Sequence, residues 1–312
     1  MKGRKTTVLT RFCPVCLNDS GYILGTLNYE MLDNSPIASR FKVVACTECG
    51  LVTSNTPSTQ AEYDRYYAER GDPRTYKDII SEPGNLFHVL EHLVDVEAAI
   101  KHIRNDGLGL VCVEVPDTVH FTYCAADKSL SYFYYTHLLH LDSLHLQNLF
   151  TSKGFHCTSW EFREYQGIPS VGAVFVRGVK QAYTPDFFLA ERVADWFDET
   201  SLDPTGEIEA LRQSGRPVYV WGIGLHASMY LGMSPLKDCN IRALVDKDPA
   251  LHGRVMAGHK VQPAAFLTEY GGFLCEWDIG PDDTVFITTV VHQKSMREHL
   301  AEIGFTGQVL AI

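Results

Sequence analysis

The chain has 312 residues, enough for two or three domains, and its 45% hydrophobic and 21% charged residues match an ordinary globular protein. A formal charge of −11 excludes a general nucleic-acid binder, whose phosphate contacts need a basic surface, but not a local basic pocket. No apolar run approaches ~18 residues and the amino-terminal MKGRKTTVLT lacks an apolar core, so neither a membrane span nor a secretory leader is expected.

Four of the nine cysteines form two close pairs near the start, Cys13-Pro-Val-Cys16 and Cys46-Thr-Glu-Cys49, and the other five are scattered. That distribution fits a reducing cytoplasm with one metal site better than a disulfide framework. Each pair places two thiolates on a tight turn, and two such turns close a tetrahedral shell around one zinc ion. Gly50 relaxes the backbone after the second pair. The spacer between the pairs is strand-like at Tyr22 to Leu27 and Phe41 to Ala45, as in a zinc ribbon. Four protein ligands leave no open coordination position, so the metal is expected to be structural.

A short helix and turn are expected from Tyr63 to Tyr76. Apolar residues at helical spacing then predict a helix from Glu91 to Ile103. The unbroken apolar run Leu108 to Val115 reads as a strand buried on both faces, stopped at Pro116-Asp117. Leu141 to Lys153 reads as a second helix ended by Gly154, and Cys157 to Tyr165 and Val171 to Val176 as two strands. A strand such as Leu108–Val115 cannot be left at an open edge, and a homodimer is one expected way of covering it.

Phe187 to Leu211 reads as one long amphipathic connector. Strands at Val218–Trp221, Ile241–Val245, Thr284–Val290 and Val309–Ile312, with helices starting near Ala227 and at Lys294, predict a small doubly wound parallel sheet. Gly222-x-Gly224 after the first of these strands, and Asp246 at the tip of the second, reproduce part of a dinucleotide fingerprint. The glycines let a phosphate approach a helix amino end, and Asp246 accepts from ribose hydroxyls. The third glycine position holds other residues near Ala227, so a ligand other than NAD, or none, is the stronger expectation.

Two further strings carry ionisable groups. His88-Val89-Leu90-Glu91-His92 has the inverted zinc-protease pattern, which needs both imidazoles on one helical face and a distant carboxylate, with Glu161 and Glu164 the available ones. Tyr132-Phe133-Tyr134-Tyr135-Thr136-His137-Leu138-Leu139-His140 concentrates phenols and imidazoles before a helix. A Tyr–His pair moves protons near neutral pH, and a phenol steadies an enolate oxygen. An aromatic loop packed over a sheet edge is the competing structural account.

In order along the chain, the four cysteines, the Tyr63–Tyr76 linker, Val89-Leu90-Glu91-His92-Leu93, Val113-Glu114-Val115-Pro116, Tyr134-x-x-His137 and Val220-Trp221-Gly222-Ile223-Gly224 resemble the SAM-dependent sugar C-methyltransferases. The resemblance implies an α/β protein in three parts: a zinc-binding domain (1–62), a SAM-type Rossmann-like methyltransferase domain (63–182) and a carboxyl-terminal Rossmann-like α/β domain (183–312). It implies a nucleotide-linked keto-deoxysugar as substrate, deprotonated beside its ketone and methylated by SAM. His92, Tyr134 and His137 match the family's catalytic positions, and Gly222, Gly224 and Asp246 are the candidate cofactor contacts.

Two departures stand out. Thr136 occupies the position of the family's carboxylate. Only eleven residues, Lys77 to Phe87, separate Tyr76 from His88, with no Gly-rich donor loop and none of the first half of a Rossmann-like domain, roughly 80 residues by βαβ dimensions. The expectation is a truncated methyltransferase domain with lost or altered methyl transfer. The alternatives are SAM-independent acid/base chemistry of epimerase or lyase type and a catalytically silent binding subunit.

Overall fold

The computed structural model describes residues 1–69, 85–105, 109–123, 132–165, 167–203, 205–263 and 279–312. It is a mixed α and β protein whose packing divides into two compact units, Met1–Leu27 with Pro36–Thr200, and Asn28–Ser35 with Ser201–Ile312. Among the described residues no helix is long and apolar enough to cross a membrane.

The first unit opens with strands β1 (Thr6–Val8), β2 (Ser20–Asn28), β3 (Arg40–Cys46) and β4 (Val52–Asn55). In β3, Phe41 and the run Val43–Cys46 are buried, which fastens the second cysteine turn to the core. β3 and β4 form an antiparallel hairpin with Ala45 opposite Val52, so Cys46-Thr47-Glu48-Cys49-Gly50 is its loop. Helix α1 (Gln60–Glu69) follows, and the expected turn after it lies outside the described residues.

Strand β5 (Asn85–Phe87) leads to a single 3₁₀ turn at Leu90–His92, and helix α2 (Val96–Asn105) begins only after it. The helix expected from Glu91 therefore starts later. Its amino end is set by Asp95, whose Oδ1 accepts from the Ala98 N–H at 3.0 Å, as a capping aspartate does. Strand β6 (Leu110–Pro116), helix α3 (Thr118–Tyr123), the two-residue β7 (Leu139–His140) and helix α4 (Ser143–Thr151) come next. A long hairpin, β8 (Phe155–Tyr165) and β9 (Ile168–Arg177), and helix α5 (Phe188–Glu199) complete the unit.

Its sheets have the orders β1-β2-β3-β4-β7 and β5-β6-β9-β8. β6 pairs in parallel with β5 and antiparallel with β9, so the apolar run is interior to its sheet. One core runs from Cys13, Cys46 and Cys49 through Val111, Val113 and Val115 to Leu146, Phe150 and Phe175.

The second unit contains helix α6 (Glu207–Ser214), β10 (Pro217–Trp221), helix α7 (Leu225–Met233), β11 (Asn240–Asp246) and the small hairpin β12 (Val255–Met256) and β13 (His259–Pro263). It ends with β14 (Thr284–Ile287), helix α8 (Gln293–Glu302) and β15 (Gln308–Ala311). The six strands have the order β12-β13-β11-β10-β14-β15. All neighbouring pairs are parallel except β12 with β13. The connector expected as one helix from Phe187 to Leu211 is two helices in different units, α5 and α6, because Thr200 is extended and Gly206 adopts a left-handed conformation with φ 74°.

Candidate functional site

The two cysteine turns repeat one local design. In the first, the Leu17 N–H donates to the Cys13 carbonyl at 2.9 Å, and in the second the Gly50 N–H donates to the Cys46 carbonyl at 3.1 Å. The residue after each second cysteine is left-handed, Leu17 at φ 64° and Gly50 at φ 83°. The turns bring Cys13 Sγ to 3.4 Å from Cys49 Sγ and Cys16 Sγ to 3.3 Å from Cys46 Sγ, with all four sulfurs within 4.8 Å of one another. A tetrahedral zinc with bonds of about 2.3 Å separates its sulfurs by about 3.8 Å, so the cluster is the right size.

The surroundings fit such an ion as well. Asn18 Nδ2 donates to Cys46 Sγ at 3.5 Å. Backbone N–H groups of Asn18, of Glu48 and Cys49, and of Leu51 point at Cys16, Cys46 and Cys49 respectively. Hydrogen bonding with Cys13 drives the Cys16 and Cys46 thiols down, and the shared proton correspondingly drives Cys13 up. This is a donor set that gathers negative charge in a buried place, and a divalent cation would neutralise it.

The second cluster joins the 3₁₀ turn after β5 to the segment before β7. The rings of His92 and His137 lie 4.9 Å apart, the Tyr134 ring lies 4.0 Å from that of His137 at a tilt of 38°, and Tyr134 is 6.5 Å from His92. The structure thus brings His92, Tyr134 and His137 together. His92 Nδ1 donates to the Thr136 carbonyl at 2.8 Å, which leaves Nε2 as the basic nitrogen. That Nε2 lies 3.7 Å from Glu91 Oε1, and the Tyr67 hydroxyl is 3.3 Å from Nδ1. The His137 ring donates to the Tyr132 carbonyl, and its buried Nδ1 has no hydrogen-bond partner among the described residues. Burial, then the neighbouring His92, lowers the His137 pKa well below the usual imidazole value, so its ring is neutral at pH 7.

Sequence alone gave no sign of Tyr67 or of Glu91 as a neighbour of His137. Glu91, His92 and His137 place three potential ligand atoms within 4.8 Å. His88 does not join them as the inverted protease pattern requires. It is not on a helix but at φ 52°, and its Nε2 lies 3.1 Å from Glu114 with its ring stacked on Tyr165. Glu161 and Glu164 are exposed on β8.

Two other buried histidines brace this region. His140 is fully buried, its Nε2 3.2 Å from Ser54 Oγ, and burial pushes its pKa down to about 3. Asp142 caps α4, its Oδ1 accepting from both the backbone N–H and the Nδ1 of His145 at 2.7 and 2.9 Å. Burial opposes charge on His145, but the Asp142 carboxylate outweighs it and the ring's pKa is raised. The Asp-x-x-His spacing was legible as a cap signature, hidden by starting the helix at Leu141.

Gly222, Gly224 and Asp246 sit together in the second unit. Gly222 has φ 100°, Gly224 is the residue before α7, and Asp246 Oδ2 accepts from the Ile223 N–H at 2.6 Å. They line a cleft of about 610 Å³ with Trp221, His226, Thr288, His292 and His299.

No family model matches the chain, and no curated protein sequence matches it.

Proposed function

We propose that the chain is a zinc-stabilised enzyme of the sugar C-methyltransferase type that moves a proton at the carbon beside the ketone of a nucleotide-linked keto-deoxysugar. In this reading the cysteine turns and their strands are a zinc ribbon, the β5–β9 region is a shortened methyltransferase domain, and the β10–β15 sheet is Rossmann-like. The observation that carries it is the meeting of buried His92 and His137 with half-buried Tyr134, from segments more than 40 residues apart, in one cluster.

His92 is the base. With Nδ1 committed to the Thr136 carbonyl, its Nε2 takes the C–H proton while the bonding pair moves onto the carbonyl oxygen as an enolate. Glu91, 3.7 Å from Nε2, stabilises the imidazolium that forms. The Tyr134 hydroxyl donates to the enolate oxygen, and neutral His137 packs against the Tyr134 ring and holds its position. Proton return from solvent completes an exchange that consumes no donor. Methyl transfer has no support from the segment between Tyr76 and His88, which lacks the Gly-rich loop that SAM requires.

The test is nuclear magnetic resonance of a keto-deoxysugar nucleotide incubated with the protein in D2O. Wild type is expected to wash deuterium into the α-carbon. Tyr134→Phe and His92→Gln are each expected to slow it by about 10²–10⁴-fold with little change in melting temperature. Thr136→Glu, which restores the family's carboxylate, should speed it. Absence of exchange in wild type overturns the reading in favour of a silent binding subunit. A SAM dissociation constant in the low micromolar range, about −8 kcal/mol, restores methyl transfer instead.

A further inference from the structure

Each imidazole of the second cluster is held by a backbone carbonyl. His92 Nδ1 donates to the Thr136 carbonyl at 2.8 Å, and the His137 ring donates to that of Tyr132. A neutral imidazole that gives its one N–H away keeps a lone pair on the other nitrogen. His92 therefore offers Nε2, and His137 keeps a buried Nδ1 that meets no hydrogen-bond partner among the described residues. Metal-binding histidines are arranged in this way: the carbonyl fixes the tautomer and makes the opposite nitrogen a better donor.

Glu91 supplies a third ligand. It is buried, 1% exposed, on the 3₁₀ turn that also carries His92, and its Oε1 lies 3.7 Å from His92 Nε2. One nitrogen of each imidazole and one oxygen of the carboxylate lie within 4.8 Å of one another. Bonds of about 2.0–2.1 Å to a tetrahedral zinc would set such atoms about 3.3 Å apart, so Glu91 and His92 already stand close to ligand spacing. The carboxylate cancels one of the two charges of a divalent ion, which lowers the cost of burying it.

Two imidazoles and a carboxylate differ in kind from four thiolates. Three protein ligands leave a fourth position for water, and imidazoles favour zinc and its neighbours over magnesium or calcium. Tyr134 is half-buried beside His137, so the cluster is not sealed from solvent. His88 borders the carboxylate, its Nδ1 3.7 Å from Glu91 Oε1, but its Nε2 is engaged by Glu114 and it does not complete the set. The third ligand comes instead from the segment before β7, where the inverted protease pattern does not look.

We propose that Glu91, His92 and His137 bind one zinc ion, in addition to any ion at the cysteines, and that this ion switches the His92 cluster off. The binding stands on the ligand geometry alone. The switching rests on the reading of His92 as the base, because a zinc on Nε2 occupies the lone pair that takes the proton.

The test is metal titration of the full chain. Dialysed against zinc, wild type is expected to hold two equivalents. Cobalt(II) added to protein carrying one zinc should bind with a dissociation constant below about 10 μM, with visible absorption but no near-ultraviolet thiolate band. His92→Gln, His137→Gln and Glu91→Gln should each weaken this binding at least about tenfold, while Glu161→Gln, exposed on β8, should leave it unchanged. Should a buried substitution unfold the chain, the cobalt spectrum and stoichiometry of wild type decide the matter. In D2O, zinc should suppress deuterium exchange by wild type at least about tenfold, and a chelator should restore it. Zinc binding in a protein that exchanges nothing even without zinc supports the site and removes the switch together with the role of His92. The site is overturned if wild type takes up a single equivalent, if the second cobalt shows thiolate absorption, or if folded His92→Gln and His137→Gln bind like wild type. Exchange that continues with the second zinc bound overturns the switch.

Discussion

His140 shows how much one side chain can depend on the fold around it. Packed between Tyr132 and Phe133, with burial holding its pKa at about 3, it is neutral in the folded protein at every ordinary pH. In the unfolded chain it titrates near 6.5, so between pH 6.5 and 3 the unfolded state binds the extra proton and stability falls as pH falls. At pH 5 the loss from this residue is about 2 kcal/mol relative to neutral pH, and the lowered His137 adds in the same direction. His145 runs the other way. Its pKa is raised, so its contribution is fully present below 6.5 and is lost as pH rises through the folded value. Among the described residues three lowered imidazoles, His137, His140 and the buried His226, against one raised predict a net fall in melting temperature between pH 7.5 and 5, and His140→Gln should remove part of it. A melting temperature flat over that range in both proteins contradicts the burial argument. None of this was visible in the chain. The Tyr132–His140 segment showed its residue types but not that His140 turns into the core beside Ser54 while His137 meets His92.

At the scale of an element, the two cysteine turns are the same device made from different residues. Each needs a left-handed residue after its second cysteine, and glycine supplies it in only one of them. Leu17, half exposed, holds that conformation at a cost of about 1–2 kcal/mol and buries little in return. Leu17→Gly is therefore expected to raise stability by up to about 1 kcal/mol and to slow zinc loss to a chelator. Gly50→Ala should do the reverse, because a Cβ there would also overlap the Asp186 carbonyl. Equal chelator half-lives for the two variants would remove the argument. The spacing of the cysteines announced this element, whereas the start of α2 was misjudged. The apolar period continues through Glu91 and His92, but the Asp95 cap and the left-handed His88 break the backbone where the pattern does not.

Across the molecule, the four-cysteine cluster is not an appendage. Cys13, Cys46 and Cys49 belong to the same core as β6, β9 and α4, while the strands of the second unit pack a separate core around Tyr219, Val245 and Ile287. Removing the metal, or Cys46→Ser, should therefore loosen the first unit as a whole. Hydrogen exchange should rise in β3, β6 and β9 and stay slow in β10, β11 and β14. Exchange confined to residues near the cysteines would mean the ion stabilises only its own turns.

The sequence by itself determined the cysteine set, the mixed helix and strand composition, most strands of the second unit and the glycine turn before α7. Each is a local property, set by a spacing, a period or a residue whose backbone freedom is needed on the spot. Tertiary structure decided the rest. It placed His92 beside Tyr134 and His137, put β6 between β5 and β9, and split the Phe187–Leu211 segment between two units. It also set Trp221 in the wall of a cleft. These are outcomes of packing between residues distant in sequence, and no local pattern encodes which buried faces will meet.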